Sequence, residues 1–217
     1  SALEAFGRTF LGRDHVTGET VSQLAIEGFD TETLANITQS ARHYGFHATL
    51  KAPFVLKESR RAEDLRNAVE QFAAKRSPFE APPLTVSALS RWIAFTLSKD
   101  SPEMRTLAAD CVRDFEGFRA PLTESDIARR RKSVLSPRQD QQMLAYGYPH
   151  IFEDFRFHMT LAGPLESQEQ NRLVQILQPR ITSIEAIPLK VDAIALYEQP
   201  DRESPFLQTG RFSFRPA

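Results

Sequence analysis

One cysteine in 217 residues, Cys111, excludes an internal disulfide framework and fits a reducing cytoplasm. No apolar run is long enough to cross a bilayer. Lys and Arg (27) balance Asp and Glu (28), and the net charge of −1 provides no global basic field to draw in nucleic acid. Glycine is scarce, with 9 in the chain, and nowhere forms a phosphate loop or a dinucleotide fingerprint. No group of Cys and His has zinc-ligand spacing. The expectation is a cytoplasmic chain that needs no cofactor and no metal and does not engage a membrane. What remains is ordinary globular material, 41% hydrophobic and 25% charged. It is enough for one large domain or two small lobes with a sizeable core.

What is present is a repeat. FHATLKAPF (Phe46 to Phe54) returns as FHMTLAGPL (Phe157 to Leu165), with Phe, His, Thr, Leu and Pro identical. One chance match to H-x-T-L in a chain of this size has odds of roughly a few per cent, and two far less. In a strand, residues i and i+2 share a face. His47 and Thr49 therefore project together, as do His158 and Thr160, while Tyr44, Phe46, Ala48 and Leu50, and Phe155, Phe157, Met159 and Leu161, form apolar opposite faces. Each segment reads as a half-buried strand with its polar face available for chemistry.

The repeat extends further. Ala62 to Ala74 carries Leu65, Val69, Phe72 and Ala73 at helical spacing, followed by PLTVSAL (Pro83 to Leu89) and a further strand, Trp92 to Ser98. After the second motif, Ser167 begins S-x-x-Q, a capping-box pattern ahead of Leu173, Ile176 and Leu177. PLKVDAI (Pro188 to Ile194) and a strand at Phe206 to Phe214 then follow. Each half reads His strand, helix, Pro-led strand, further strand. The expected fold is α+β, a single bilobal domain with pseudo-twofold duplication and antiparallel sheets around a central cleft, helices lying outside. The first repeat spans about 1–98, the second about 99–217 and a helical insertion about 118–149. Within that insertion Thr123 to Val134 and Ser136 to Tyr146 read as helices. Before it, Ser101-Pro102 starts a helix with Met104, Leu107, Ala108, Cys111, Val112 and Phe115 on its buried stripe and Gly117 at its end. Thr31 to Tyr44 reads as another helix, and so does the segment bearing Leu3, Phe6 and Phe10. The first half has no counterpart of the strand preceding the Ser101 helix, so a start about ten residues before Ser1 is expected. An initiator codon directly before Ser1 would count against that.

Paired His-x-Thr-Leu strands, one per half, resemble the two-histidine phosphoesterase superfamily. The longer strings YGFHATLKAPF and GYPHIFEDFRFHMTLAGP are similar to a bacterial branch associated with phosphonate-utilisation operons. The resemblance covers nearly the whole chain. The missing first strand and the long insertion depart from it. It implies a bilobal α+β fold and metal-independent opening of a cyclic phosphodiester. His47 and His158 would act as general base and acid, and Thr49 and Thr160 would bind the phosphate oxygens.

The residues support that chemistry independently. Imidazole suits both proton-transfer roles near neutrality, and a threonine hydroxyl can donate to a phosphate oxygen. Either histidine could be the base. Strand parity adds Arg156, two residues before His158, and Lys51, two after Thr49, as phosphate partners. Asp154 shares that parity and could orient a cation or an imidazole. Tyr44 and Arg131 are further candidates for substrate contact. The run Arg129 to Lys132 is more often a solvated helix face. His15, His43 and His150 have no repeat partner and read as surface or loop residues, Trp92 as core, and Cys111 as a packed helix residue. The partner is a phosphodiester-containing small molecule, such as a cyclic sugar phosphate from phosphonate breakdown, or an RNA end. A non-catalytic binder of a phosphorylated ligand is the reading from another class. The sequence leaves oligomeric state open.

Overall fold

The computed structural model describes residues 1–215. In chain order the elements are α1 (Ala2–Leu11), α2 (Thr31–Tyr44), α3 (Ala62–Ala74), β1 (Phe79–Ala81), β2 (Leu84–Leu89), β3 (Trp92–Leu97) and α4 (Pro102–Asp114). Then come α5 (Glu124–Arg130), α6 (Pro137–Tyr146), β4 (His158–Ala162), α7 (Ser167–Leu177), α8 (Thr182–Glu185), β5 (Leu189–Val191), β6 (Ala193–Glu198) and β7 (Leu207–Ser213). The mixed α+β class is as expected, and every sheet is antiparallel: β1 with β5, β2-β3-β4, and β6 with β7.

The helices start where sequence chemistry places them. Ser101 caps α4 by accepting from the Met104 amide, with Pro102 in the first turn. Thr123 and Ser136 cap α5 and α6 with reciprocal capping boxes, and Gly147 ends α6 at φ 80°. Several boundaries differ from expectation. Helix α5 stops at Arg130 instead of reaching Val134, and the capping box of α7 is Glu166 with Glu169, one residue before the S-x-x-Q pattern. Gln170 is instead buried and donates to the Ser90 carbonyl at 2.8 Å. Gly117 falls inside a 3₁₀ turn, Glu116–Phe118, that prolongs α4. The second Pro-led strand is split at Asp192, so that β5 pairs with β1 while β6 pairs with β7.

The largest correction concerns the first His motif, which is not a strand; among the described residues His47 to Thr49 has no ladder partner. Its flanks explain why. Phe46 is buried in one core with Phe10, Phe95, Leu161 and Leu173, while Leu50 and Phe54 pack on the other with Phe72, Cys111, Ile194 and Phe212. The segment therefore crosses between two cores, and among the described residues none of the three sheets pairs with it. The cores share Leu97, Phe157 and Leu189, and each draws on both halves of the chain.

The β2-β3-β4 sheet has the half-buried pattern in full. Leu84, Val86, Ile93, Phe95 and Leu161 face the first core. The register Thr96↔His158, Ala94↔Thr160, Thr85↔Thr96 and Ser87↔Ala94 puts small and polar side chains on the other face.

A buried charge network anchors the first motif. The Lys51 ammonium donates to Glu116 at 2.8 Å and to the Val112 carbonyl at 3.0 Å. Arg119 meets the same carboxylate through Nε at 2.9 Å and donates to the carbonyls of Ala120 and Ala145. The Lys51 and Arg119 side chains are each only 9% exposed, so Glu116 is the counter-charge for two sheltered cations. Burial alone would raise the Glu116 carboxyl, but the hydrogen bonds and charges of Arg119 and Lys51 outweigh it and hold the group below its ordinary value.

Glu116→Gln strands both cations, and the expected loss is about 3 kcal/mol or more in urea unfolding. Arg91→Ala, at the exposed Arg91–Glu166 pair, should cost under about 1 kcal/mol. A lowered folded pKa means that the Glu116 contribution is present above the unfolded value of about 4.3 and is lost as pH falls through the folded value. The acid limb of the wild-type stability curve should therefore flatten in Glu116→Gln.

Candidate functional site

Both histidines are held in the same way. His47 Nδ1 lies 2.9 Å from the Gly45 carbonyl, and His158 Nδ1 lies 2.8 Å from the Arg156 carbonyl. A carbonyl oxygen only accepts, so each Nδ1 carries the hydrogen and each Nε2 presents a lone pair when the ring is neutral. For His158 the partner is the residue two before the first residue of β4. For His47 it is the glycine ending α2, whose φ of 79° turns the chain sharply. A side chain at that position would also run into His15, whose Cβ would be 2.6 Å away.

The two rings then differ. His47 Nε2 meets the Thr49 hydroxyl at 2.9 Å, which donates to it in the neutral state. No such bond joins Thr160 to His158 among the described residues; Thr160 faces Ala94, and Thr96 faces His158. Thr96 also bonds Ser87 at 3.0 Å, so a row of hydroxyls lies beside His158. His47 is flanked by aromatic rings, with Tyr197 at 5.3 Å and Tyr44 at 6.4 Å between centroids. Tyr44 in turn stacks on Phe206 at 5.2 Å. Burial lowers the His47 pKa, the Gly45 carbonyl partly opposes this, and the positive forms of His15 and His158 lower it further. The charge of His158 thus reaches the His47 ring.

His15 lies in a loop, as expected, but not on the surface. It is 6% exposed, its ring stacks on Tyr197 at 5.7 Å, and its Nδ1 has no partner among the described residues. Burial lowers its pKa. Burial likewise raises that of Tyr197, whose hydroxyl reaches Gln208 at 3.4 Å. Sequence reasoning missed His15 and Tyr197, because neither belongs to the repeat and only the tertiary approach of the 12–20 loop to β6 brings them to His47.

The weaker candidates scatter. Strand parity fails for Arg156 and Asp154 because β4 begins at His158 and Phe152–Asp154 is a 3₁₀ turn. Asp154 is held by both branches of Arg138, at 2.9 and 3.0 Å. Arg156 is exposed, makes no ion pair among the described residues and serves the site through its backbone carbonyl. Lys51 is turned away into the Glu116 network. Arg131 is spent on Asp140, with two contacts at 2.8 Å, and Arg129 on Asp126 at 2.7 Å. The run's middle residue, Arg130, has a guanidinium 5.6 Å above the Tyr148 ring and a buried Nε with no acceptor. No sequence signal separates Arg130 from its neighbours, because Asp126, four residues before it, pairs with Arg129 and Arg202 instead.

No three His, Cys, Asp or Glu side chains converge as metal ligands among the described residues, and no described helix is long and apolar enough to cross a membrane.

Two curated relatives carry the name ribose 1,5-bisphosphate phosphokinase PhnN. One, from Janthinobacterium sp. (strain Marseille), is 34% identical over 212 residues, covering 96% of this chain and 47% of the relative. The other, from Laribacter hongkongensis (strain HLHK9), is 25% identical over 200 residues, covering 92% of this chain and 46% of the relative. The chain thus spans about half the length of the curated relatives it matches. The family described as Protein of unknown function (DUF1045) matches residues 49–207, most of the chain, and the protein belongs to that family.

Proposed function

We propose that the protein is a two-histidine phosphoesterase that opens a cyclic phosphate on a small sugar without a metal. The observation carrying this reading is the paired geometry: two imidazoles, each tied through Nδ1 to the carbonyl two residues before it, and each followed two residues later by a threonine. The His motif, the helix α3 or α7 and the Pro-led strand recur in both halves, which favours a duplicated bilobal ancestry. In this reading His47 is the base, since burial favours its neutral form. Its Nε2 takes a proton from water as the water oxygen attacks phosphorus. The bridging P–O bond breaks, and His158 delivers a proton from Nε2 to the leaving oxygen. The products are a phosphomonoester and a hydroxyl. Thr160 and Thr96 would donate to the non-bridging oxygens as charge builds, and Thr49 would join them once its hydroxyl turns from His47 Nε2 to leave that lone pair to the attacking water.

The relatives' name supports a sugar phosphate as substrate. Within this chain there is no G-x-x-x-x-G-K-[S/T] loop, so we assign the phosphokinase chemistry of that name to the part of the relatives that this chain does not match. The insertion favours a small substrate over RNA. Arg129, Arg131 and Arg138 are each neutralised by a carboxylate and form no track for a phosphate backbone.

His47→Ala and His158→Ala should each lower kcat/KM by at least about 100-fold on a ribose cyclic phosphate, followed by phosphorus NMR with chelator present. Near-wild-type turnover by either variant would end the proposal. The His47 ring should titrate below the ordinary value of about 6.5 by proton NMR, and the acid limb of kcat/KM should fall with it, because protonation removes the base. A titration at or above that value would transfer the base role to His158.

A further inference from the structure

We propose that Arg130 and Tyr148 of the insertion form a subsite for a second phosphoryl group, so that the substrate is a cyclic sugar phosphate also bearing a phosphomonoester. This rests on the phosphoesterase reading above and deepens it. Arg130 differs from its neighbours. Asp126 accepts from Arg129 at 2.7 Å, from Arg202 at 3.3 Å and from the Thr123 hydroxyl at 2.8 Å, and Asp140 is held by Arg131. The Arg130 guanidinium makes no hydrogen bond or ion pair among the described residues, although its Nε is closed off from solvent. A closed-off guanidinium N–H without an acceptor is unfavourable, and an anion bound there would supply one. Desolvation works against its charge, as do Arg129 and Arg119, while Tyr148 and Asp126 partly support it.

The position suits a ligand reaching from the histidines. Tyr148 lies under Arg130, and burial raises its pKa, with Tyr44 acting in the same direction. Tyr44 is stacked on the His47 side. A sugar lying along Tyr44 could present its cyclic phosphate to His47 and His158 and a second phosphate to Arg130 and the Tyr148 hydroxyl. The Arg202–Asp126 contact ties the β6–β7 loop to α5 and holds that wall in place. Ring opening would then yield a sugar with two phosphomonoesters. That is the class of compound in the relatives' name, so the reaction would supply a following phosphoryl transfer.

The test pairs binding with turnover. Calorimetry should show ribose 5-phosphate binding the wild type far more tightly than ribose. Arg130→Gln should lose about 10- to 100-fold of that affinity, as expected for a charged hydrogen-bonding partner. It should also reduce the kcat/KM preference for a ribose cyclic phosphate with a 5-phosphate over the same ring without one by a similar factor. Tyr148→Phe, which keeps the ring, should weaken ribose 5-phosphate a few-fold and decides the matter if Arg130→Gln does not fold by circular dichroism. Wild-type affinity in the variants, or equal turnover of both rings by the wild type, would overturn the subsite while leaving the hydrolase standing. Arg130-dependent binding with no ring opening on any substrate would keep the subsite and end the hydrolase. Preference for RNA ending in a 2′,3′-cyclic phosphate would overturn the small-sugar proposal.

Discussion

An imidazole can transfer protons in a defined direction only if one of its nitrogens is already committed, and here a backbone carbonyl makes that commitment twice. The Nδ1 bond to the residue two positions earlier sets the tautomer and the ring plane, and it does so without a carboxylate that would bias the ring toward its charged form. Much of the local architecture follows from it. At His158 the geometry comes almost free, because the chain is entering β4. At His47 it requires a chain reversal at the end of α2, hence Gly45 with a positive φ, hence room for the 12–20 loop to bring His15 against Gly45 and Tyr197. The segment is then tied down at its far side by Lys51, whose charge is satisfied by Glu116 after α4.

That division explains how much could be read from the chain. The His-x-Thr pairs, the helical stripes and the caps depend on contacts within a few residues, and periodicity exposes them. The polar face of β2-β3-β4 was likewise visible as alternation. Strand character at His47 was not, because a two-residue period says which side chains share a face but not whether a neighbouring strand exists to complete the ladder. His47 and Thr49 did come together, through a direct hydrogen bond, even though no sheet enforces it. Parity misled at Lys51 and Asp154 for a related reason. A charged side chain goes where its counter-charge lies, and Glu116 and Arg138 are distant in sequence. The split of the second Pro-led strand at Asp192 has the same origin, since each piece finds a different partner strand.

The insertion shows what charge counting misses. Arg129 to Lys132 reads as a basic run, yet its arginines are not equivalent. Arg129 and Arg131 are neutralised by carboxylates on α5 and α6, Arg138 by Asp154, and the exposed surface is a set of paired charges with little net field. Arg130 alone among these is turned inward over an aromatic ring. A polyanion would need several uncommitted cations along a line, whereas one sheltered cation beside aromatic rings is suited to a single phosphate on a compact ligand.

Duplication of one motif does not by itself produce an acid and a base, since identical residues in identical surroundings titrate together. The difference has to come from the environment. His47 lies between Tyr44 and Tyr197, with His15 behind Tyr197 and a threonine hydroxyl already on its Nε2. Each of these contacts can be made by a neutral ring, and burial together with the neighbouring imidazoles penalises the charged one. His158 sits at the start of a sheet strand beside the hydroxyls of Thr96 and Thr160, and among the described residues no aromatic ring stacks on it as Tyr44 and Tyr197 do on His47. If the pair holds one proton between them, the enclosure of His47 sends it to His158. The residues that break the symmetry of the repeat, rather than those that make it, would then assign the two roles.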